Sequence, residues 1–153
     1  MNGLELRVPP LVLVLLSAAG MWLLARGWPQ WTLDWPGRTP LALGLAVAGA
    51  AVALAGVAAF RRARTTVNPT TPQASSALVV RGVYRFSRNP MYLGFLLALG
   101  GWAVHLAHPL AAALLPLFVA YMNRFQIGPE ERALTERFGR PYTDYMSNVR
   151  RWL

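Results

Sequence analysis

The residues best suited to chemistry in this sequence lie in the segment 81–94, at the start of a long apolar stretch. Arg88, Asn89 and Tyr92 surround Pro90, and proline commonly occupies the first position of a helix. A chain that only enters a membrane needs a few flanking charges and an interfacial aromatic residue. This combination of a cation, an amide and a phenol therefore indicates a binding site for a polar ligand beside an apolar helix.

A second polar element lies further along, in the segment 128–145. Pro129 stands at a predicted helix start, Glu130 and Glu131 fall in the first turn, and Gly139 marks the end. These signals predict a short helix of about ten residues. Two carboxylates in a first turn also suit the helix dipole, so the pair by itself does not establish a site.

Composition places the chain in a membrane. A length of 153 residues fits one domain, 1–153, and 55% hydrophobic residues with 14% charged residues is too apolar for an ordinary soluble domain. The chain has no cysteine, which excludes a disulfide framework, an iron–sulfur cluster, a thiolate zinc site and a cysteine nucleophile.

Four apolar segments predict an all-α integral membrane bundle with four transmembrane segments. The first two, about 8–25 and 41–60, are uncharged and long enough to cross roughly 30 Å of hydrocarbon. The last two, about 91–106 and 109–123, form a hairpin whose arms reach only roughly 22 Å. His105 and His108 fall in the turn between them, where we interpret them as polar turn residues and not as metal ligands.

Small residues predict how the segments pack. The rows that begin at Ala42 and Ala51, with alanines four residues apart, let helices approach closely, so we expect the second segment to lie inside the bundle. Gly94, Ala98 and Gly101 form a similar stripe on the third segment. Such stripes serve a bundle or a dimer equally, and we expect a monomer.

The arginines predict the topology. All 15 basic residues are arginine, and four crossings leave only Arg26 and Arg38 on the outer side. The positive-inside rule then puts both termini and the segments 61–90 and 124–153 in the cytoplasm, with a short C-terminal helix there. We expect a bacterial inner membrane protein. The net charge of +9 suits anionic lipid headgroups, and because no soluble basic domain is present we expect no nucleic-acid binding.

The two polar elements together resemble one known family. The segment Arg88-Asn89-Pro90-Met91-Tyr92-Leu93-Gly94 is similar to the Arg-(His/Asn)-Pro-x-Tyr-x-Gly motif of the isoprenylcysteine carboxyl methyltransferases and phospholipid methyltransferases. The second element matches the same families at these positions: Glu130, Glu131, Leu134, Phe138, Gly139, Tyr142 and Tyr145. The ordered pair covers about the last 75 residues. These families are integral membrane enzymes that use S-adenosylmethionine.

The resemblance implies S-adenosylmethionine as cofactor, with S-adenosylhomocysteine as product, and a set of site residues. Cofactor contacts are implied for Arg81, Gly82, Val83, Tyr84, Asn89, Pro90, Tyr92 and Glu131. Arg124 and Glu130 are implied to lie nearer the acceptor, as the catalytic pair. Arg150 and Arg151 are candidates for closing the cofactor pocket. No metal is expected.

Each of these residues also has a structural interpretation. A single arginine beside a membrane segment is more often an interfacial anchor, and this applies to Arg81, Arg85 and Arg88. Tyr142 and Tyr145 are equally suited to docking the tail at the interface. The histidine common before the motif proline is Asn89 here, so no obvious base stands at that point.

The function predicted from the sequence is S-adenosylmethionine-dependent methyl transfer to a lipophilic acceptor at the cytoplasmic membrane face. Because a carboxylate acceptor needs no base, an isoprenylcysteine-like carboxylate or another small lipid is favoured over an amine. The alternatives are a phospholipid N-methyltransferase, an NADPH-dependent membrane sterol-type reductase, and a non-catalytic membrane subunit. The expected partners are the acceptor and membrane lipid.

Overall fold

A computed structural model describes residues 5–65 and 75–153, which are helical throughout their regular parts, with no strand among them. The helices are α1 (Pro10–Gly27), α2 (Arg38–Arg62), α3 (Pro90–Leu106), α4 (Pro109–Ala112), α5 (Leu114–Tyr121), α6 (Gly128–Phe138) and α7 (Arg140–Asn148). Short 3-10 turns occupy Pro29–Trp31 and Gly82–Arg85. The predicted all-α class is thus confirmed for the described residues, while part of the predicted segment 61–90 lies outside them.

Three helical stretches of the described chain are long and apolar enough to cross a membrane. They are Pro10–Gly27, Arg38–Arg62 and Pro109–Phe138. The third predicted segment, α3, has 17 residues, or roughly 25 Å at about 1.5 Å per residue. Large apolar side chains of α1 and α2, such as Leu15 and Val47, are exposed on the isolated chain, as expected where lipid is the solvent.

Helix α3, not α2, lies at the centre of the bundle. It packs against α1, α2, α4 and α5, and it carries seven buried residues against three on the longer α2. The prediction that α2 lies inside the bundle was therefore wrong. Only the α2 face that carries Ala42, Gly49 and Gly56 is buried. These small residues recur every seven positions, so they form a narrow stripe along one side of the helix.

Glycine allows α2 and α3 to approach with their backbones in contact. A Cβ added at Gly94 would lie 2.5 Å from the Gly49 carbonyl oxygen, and one added at Gly101 would lie 2.6 Å from the Ala42 carbonyl oxygen. No side chain fits at those distances, so the predicted role of Gly94 and Gly101 in close packing is confirmed. The contact fixes α3, and with it the polar residues at its first turn.

The second arm of the hairpin is much longer than predicted. From Pro109 the helical path continues to Phe138, and a π-helical segment, Met122–Ile127, joins α5 to α6. The predicted break before Pro129 is absent. In an α-helix the amide of residue 129 would bond to the carbonyl of Phe125, but proline has no N–H. That carbonyl accepts the backbone N–H of Leu6 at 3.0 Å instead, so it keeps a hydrogen-bond partner where the helix passes through Pro129.

The hairpin turn holds one histidine inside and one outside. Ala107 adopts a left-handed conformation with φ +50° and reverses the chain. His108 is buried, and its Nε2 lies 3.0 Å from the Trp28 carbonyl oxygen. His105 is exposed and stacks on Trp102. His108 is therefore a buried residue that joins the turn to the end of α1, whereas the sequence indicated only a polar turn.

Candidate functional site

The residues immediately before α3 are hydrogen-bonded to the C-terminal segment of the chain. Proline at position 90 disfavours the helical conformation for the residue before it, and Asn89 accordingly has φ −129° and ψ 55°. The Asn89 side chain does not cap α3. Its amide donates to the Arg151 carbonyl at 2.9 Å, and the Arg88 N–H donates to the Arg150 carbonyl at 3.0 Å.

Two arginines converge on the carboxylate of Glu131. Arg88 donates from Nη2 to Oε1 at 2.8 Å, while Arg151 donates from Nε to Oε1 at 3.1 Å and from Nη2 to Oε2 at 2.5 Å. The Glu131 side chain is only 14% exposed and that of Arg88 12%. Arg88 and Arg151, which are 43 and 20 positions from Glu131 in the chain, thus pair with one buried carboxylate. The cluster of two arginines and one glutamate carries a net positive charge.

The neighbouring carboxylate, Glu130, has different partners. Its Oε1 accepts a hydrogen bond from the Tyr92 hydroxyl at 2.5 Å and another from the Gln126 amide. Among the described residues no arginine forms an ion pair with Glu130. Consecutive residues on a helix point about 100° apart, which explains why adjacent glutamates reach such different surroundings. Glu130 is therefore a carboxylate held by neutral donors.

Three tyrosines line the site, Tyr142 and Tyr145 from α7 and Tyr84 from the turn Gly82–Arg85. Tyr145 donates its hydroxyl to the Tyr84 carbonyl at 2.7 Å, and Tyr142 is buried beside it. Burial raises the pKa of Tyr145 to about 12 and raises the pKa of Tyr84 and of Tyr142 still further, with the nearby Glu131 carboxylate contributing at Tyr142. All three hydroxyls are therefore neutral near pH 7 and cannot act as bases.

These side chains line a small cavity of about 80 Å³. Of the predicted site residues, it is lined by Tyr84, Asn89, Tyr92, Glu130 and Glu131. Arg81 and Gly82 line an adjoining cavity of about 450 Å³, which shares Leu78 and Val79 with the first. Val83 and Pro90 lie beside these residues in the chain but are not among the lining residues of either cavity in the described chain. A third cavity, of about 480 Å³, is also lined by Glu131.

Arg124 is the predicted site residue that the structure places elsewhere. It is exposed, with its guanidinium 5.9 Å from the centre of the Phe125 ring. Glu130 and Gln126 are four residues apart and share a helix face, whereas Arg124 is two residues from Gln126 and points roughly 160 to 200° away. The structure therefore does not bring Arg124 and Glu130 together at the inner cavity.

The structure also adds residues that the predicted site lacked. Arg88 lines the cavity, and its buried Nε has no hydrogen-bond partner among the described residues. Gln126 is buried next to Glu130, and the four-residue spacing between them was the available signal. Tyr142 and Tyr145 line the cavity as well. No group of three histidine, cysteine or acidic side chains within the described ranges could hold a metal ion.

Comparisons with known proteins identify relatives of this chain. The chain is 31% identical over 120 residues to protein-S-isoprenylcysteine O-methyltransferase B of Arabidopsis thaliana, which covers 78% of this chain and 58% of that protein. It is 35% identical over 83 residues to protein-S-isoprenylcysteine O-methyltransferase of Saccharomyces cerevisiae, covering 52% and 34%.

A third relative, from Haemophilus influenzae and described as an uncharacterized protein, is 43% identical over 63 residues, which are 41% of this chain and all of that protein. No solved structure matches. The matched part of this chain thus spans little more than half of the Arabidopsis methyltransferase, so it corresponds to part of that larger protein.

The family model for phospholipid methyltransferases matches residues 38–141. This range includes the α2–α3 contact, the Arg88 to Tyr92 segment and both glutamates, whereas Arg151 lies beyond it. The helices that are long and apolar enough to cross a bilayer make the chain an integral membrane protein. Because the match covers more than half of the sequence and contains both polar elements, the chain belongs to the phospholipid methyltransferase family.

Proposed function

We propose that the protein is an S-adenosylmethionine-dependent methyltransferase that acts on a lipophilic acceptor at the cytoplasmic face of a bacterial inner membrane. The observation that carries this proposal is the junction of the two motifs at one cavity, where Glu131 pairs with Arg88 and Glu130 accepts from Tyr92. The family match and the methyltransferases among the relatives support the same reaction.

The proposed membrane arrangement has four segments with both termini in the cytoplasm. The end of α2, the start of α3 and the polar helix α6 lie together, since Phe60 contacts Tyr84 edge to face and Arg88 reaches Glu131. The arginines of the segments 61–90 and 124–153 then share one side, as the positive-inside rule requires.

The residues around the cavity fit the proposed cofactor. S-adenosylmethionine carries a carboxylate, an ammonium and a sulfonium. When bound it would supply the methyl group of its sulfonium, with the neutral thioether S-adenosylhomocysteine as the leaving group. Carboxylates and the faces of Tyr84 and Tyr92 suit its cations. The two arginines beside Glu131, one of which has a buried Nε without a partner among the described residues, suit its carboxylate. The cavity of about 80 Å³ is smaller than the roughly 300 Å³ or more of a small-molecule site, so the cofactor also needs an adjoining cavity.

We assign the cofactor contacts to the residues that the family resemblance implies: Arg81, Gly82, Val83, Tyr84, Asn89, Pro90, Tyr92 and Glu131. Tyr84, Tyr142 and the apolar Leu134 exclude water from the inner cavity, which is the main protein contribution to a displacement that needs no metal. Glu130 is assigned to the acceptor side.

Two acceptor classes are supported. A carboxylate, such as an isoprenylcysteine-like lipid, needs no deprotonation before it attacks. An amine of a phospholipid headgroup does, and the Oε1 of Glu130 would accept its proton, because this carboxylate is hydrogen-bonded but not paired with an arginine. That contrast between Glu130 and Glu131 is the specific observation that favours keeping the phospholipid N-methyltransferase as the second candidate.

Isothermal titration of the purified full chain with S-adenosylmethionine and S-adenosylhomocysteine tests the proposal. We expect saturable binding of both and no competition from NADPH, and the absence of binding would refute the proposed function. Competition by NADPH would favour the reductase alternative instead.

Methyl transfer from labelled cofactor to extracted membrane lipid then separates the two acceptor classes. Mild base releases volatile methanol from a carboxyl methyl ester but leaves an N-methyl product intact.

A further inference from the structure

Glu131 lines two cavities. One is the inner cavity of about 80 Å³. The other is a cavity of about 480 Å³ that is also lined by Gly128, Arg132, Thr135, Glu136, Met146 and Arg151. A ligand that occupies both cavities therefore lies beside the ion pairs that Glu131 makes.

The two arginines that pair with Glu131 are held in different ways. Arg88 also donates from Nη1 to the carbonyls of Met146 and Val149, each at 2.8 Å, and its side chain is 12% exposed. Arg151 is 37% exposed, and within the described ranges its guanidinium bonds to Glu131 alone. Arg88 is therefore held by three hydrogen-bond partners. The Arg151 guanidinium has one partner, Glu131, and can rotate away from it.

The main chain of Arg151 is nevertheless anchored. Its carbonyl accepts the side-chain amide of Asn89 at 2.9 Å and the hydroxyl of Ser87 at 3.4 Å. A change of partner by Arg151 thus requires only side-chain rotation and no movement of the C-terminal segment.

We propose that Arg151 leaves Glu131 and binds the carboxylate at the amino-acid end of S-adenosylmethionine. Glu131 then pairs with the ammonium at the same end. Without the ligand, the two arginines and one glutamate carry one surplus positive charge. With the ligand bound, positive and negative groups alternate from Arg151 through the ligand carboxylate, the ligand ammonium and Glu131 to Arg88. A planar guanidinium binds a carboxylate with two parallel hydrogen bonds, as Arg151 does with Glu131. This inference rests on the proposed function.

The test compares two ligands that differ only at the group in question. S-adenosylhomocysteine has both the carboxylate and the amine, and its decarboxylated analogue keeps the amine alone. Binding of each to the detergent-purified full chain is measured by calorimetry for the wild type, Arg151→Ala, Arg151→Lys and Arg150→Ala. Arg150 is the matched control because it is adjacent and exposed, and only its carbonyl contacts the site.

We expect Arg151→Ala to weaken S-adenosylhomocysteine binding about tenfold or more and to leave the decarboxylated analogue within about twofold or bound more tightly, since Glu131 gains freedom to pair with the amine. Arg151→Lys falls between, and Arg150→Ala matches the wild type. An equal loss for both ligands would show a structural role and overturn the inference. An equal gain would show that Arg151 only blocks the site, which also overturns it. If the wild type binds neither ligand, the proposed function fails and the inference falls with it.

Discussion

Helix α3 contacts α2 through glycine and alanine along one face, while the residues at its first turn contact α6 and the C-terminal segment through charges and hydrogen bonds. The α2–α3 contact leaves no room for a Cβ at Gly94. The polar contact joins Arg88 and Glu131 across 43 residues. At the α2–α3 contact the volume of the side chains determines which residues fit. At the polar contact the charges of the side chains determine which residues pair. The apolar contact holds α3 where its first turn can meet Glu131, so the binding chemistry depends on a distant packing surface.

Adding volume to the α2–α3 contact is expected to have the largest effect. In Gly94→Leu the new Cβ would lie 2.5 Å from the Gly49 carbonyl oxygen and 2.8 Å from the Ala53 Cβ, which destabilises the fold by about 3 kcal/mol or more. Size-exclusion chromatography and thermal melting in detergent measure the loss of folded protein. Gly44→Leu is the control, since nothing lies within 4 Å of a Cβ there, and equal behaviour of the two variants would contradict the packing account.

Removing the shared carboxylate is expected to rank second. Glu131→Ala leaves Arg88 buried without its anionic partner, and breaking a buried pair from one side costs about 3 kcal/mol. We expect a lower melting temperature and loss of S-adenosylhomocysteine binding. Asp144→Ala, at an exposed acid on α7 that lines none of the three cavities, should change neither. Retention of stability and binding in Glu131→Ala would break the distinction between the two regions.

Neutralising the second carboxylate should affect turnover more than folding. Glu130→Gln keeps the size of the side chain and a hydrogen-bonding oxygen for Tyr92, so stability and cofactor binding change little. If Glu130 serves the acceptor, kcat falls about a hundredfold while the dissociation constant of S-adenosylhomocysteine stays within about threefold.

Arg124→Ala is the control for Glu130→Gln, because the arginine is exposed and away from the cavity. It should keep kcat within about twofold. A large loss in Arg124→Ala without a loss in Glu130→Gln would reverse the assignment of the acceptor side.

The smallest effect concerns alkaline pH. Burial raises the pKa of Tyr145 to about 12 from 10.0, so the folded protein keeps a proton that the unfolded chain loses. The stability from this group is fully present below pH 10 and is lost as the pH rises towards 12. The melting temperature should therefore fall more steeply across this pH interval in the wild type than in Tyr145→Phe. Parallel curves would show that Tyr145 does not contribute.

The sequence predicted the polar elements better than their arrangement. Tyr92 and Glu131 stand in motifs whose residue types and spacing were informative, and both line the inner cavity. The structure does not bring Arg124 to that cavity, because residues six positions apart on a helix, as Arg124 and Glu130 are, lie on different faces. The continuation of the helix through Pro129 was not predicted. The donor to the Phe125 carbonyl, which proline leaves without its helical partner, is Leu6, more than a hundred residues away.

By itself the sequence determined the all-helical membrane class, the glycine stripe on α3 and the identity of the two motifs, because these follow from local composition and periodicity. Only the tertiary structure decided that α3 and not α2 is central, that Glu131 pairs with Arg88 and Arg151, and that Glu130 pairs with neither. Those outcomes depend on contacts between residues 20 to 43 positions apart, and such contacts are set by how helices pack in space and not by neighbours along the chain.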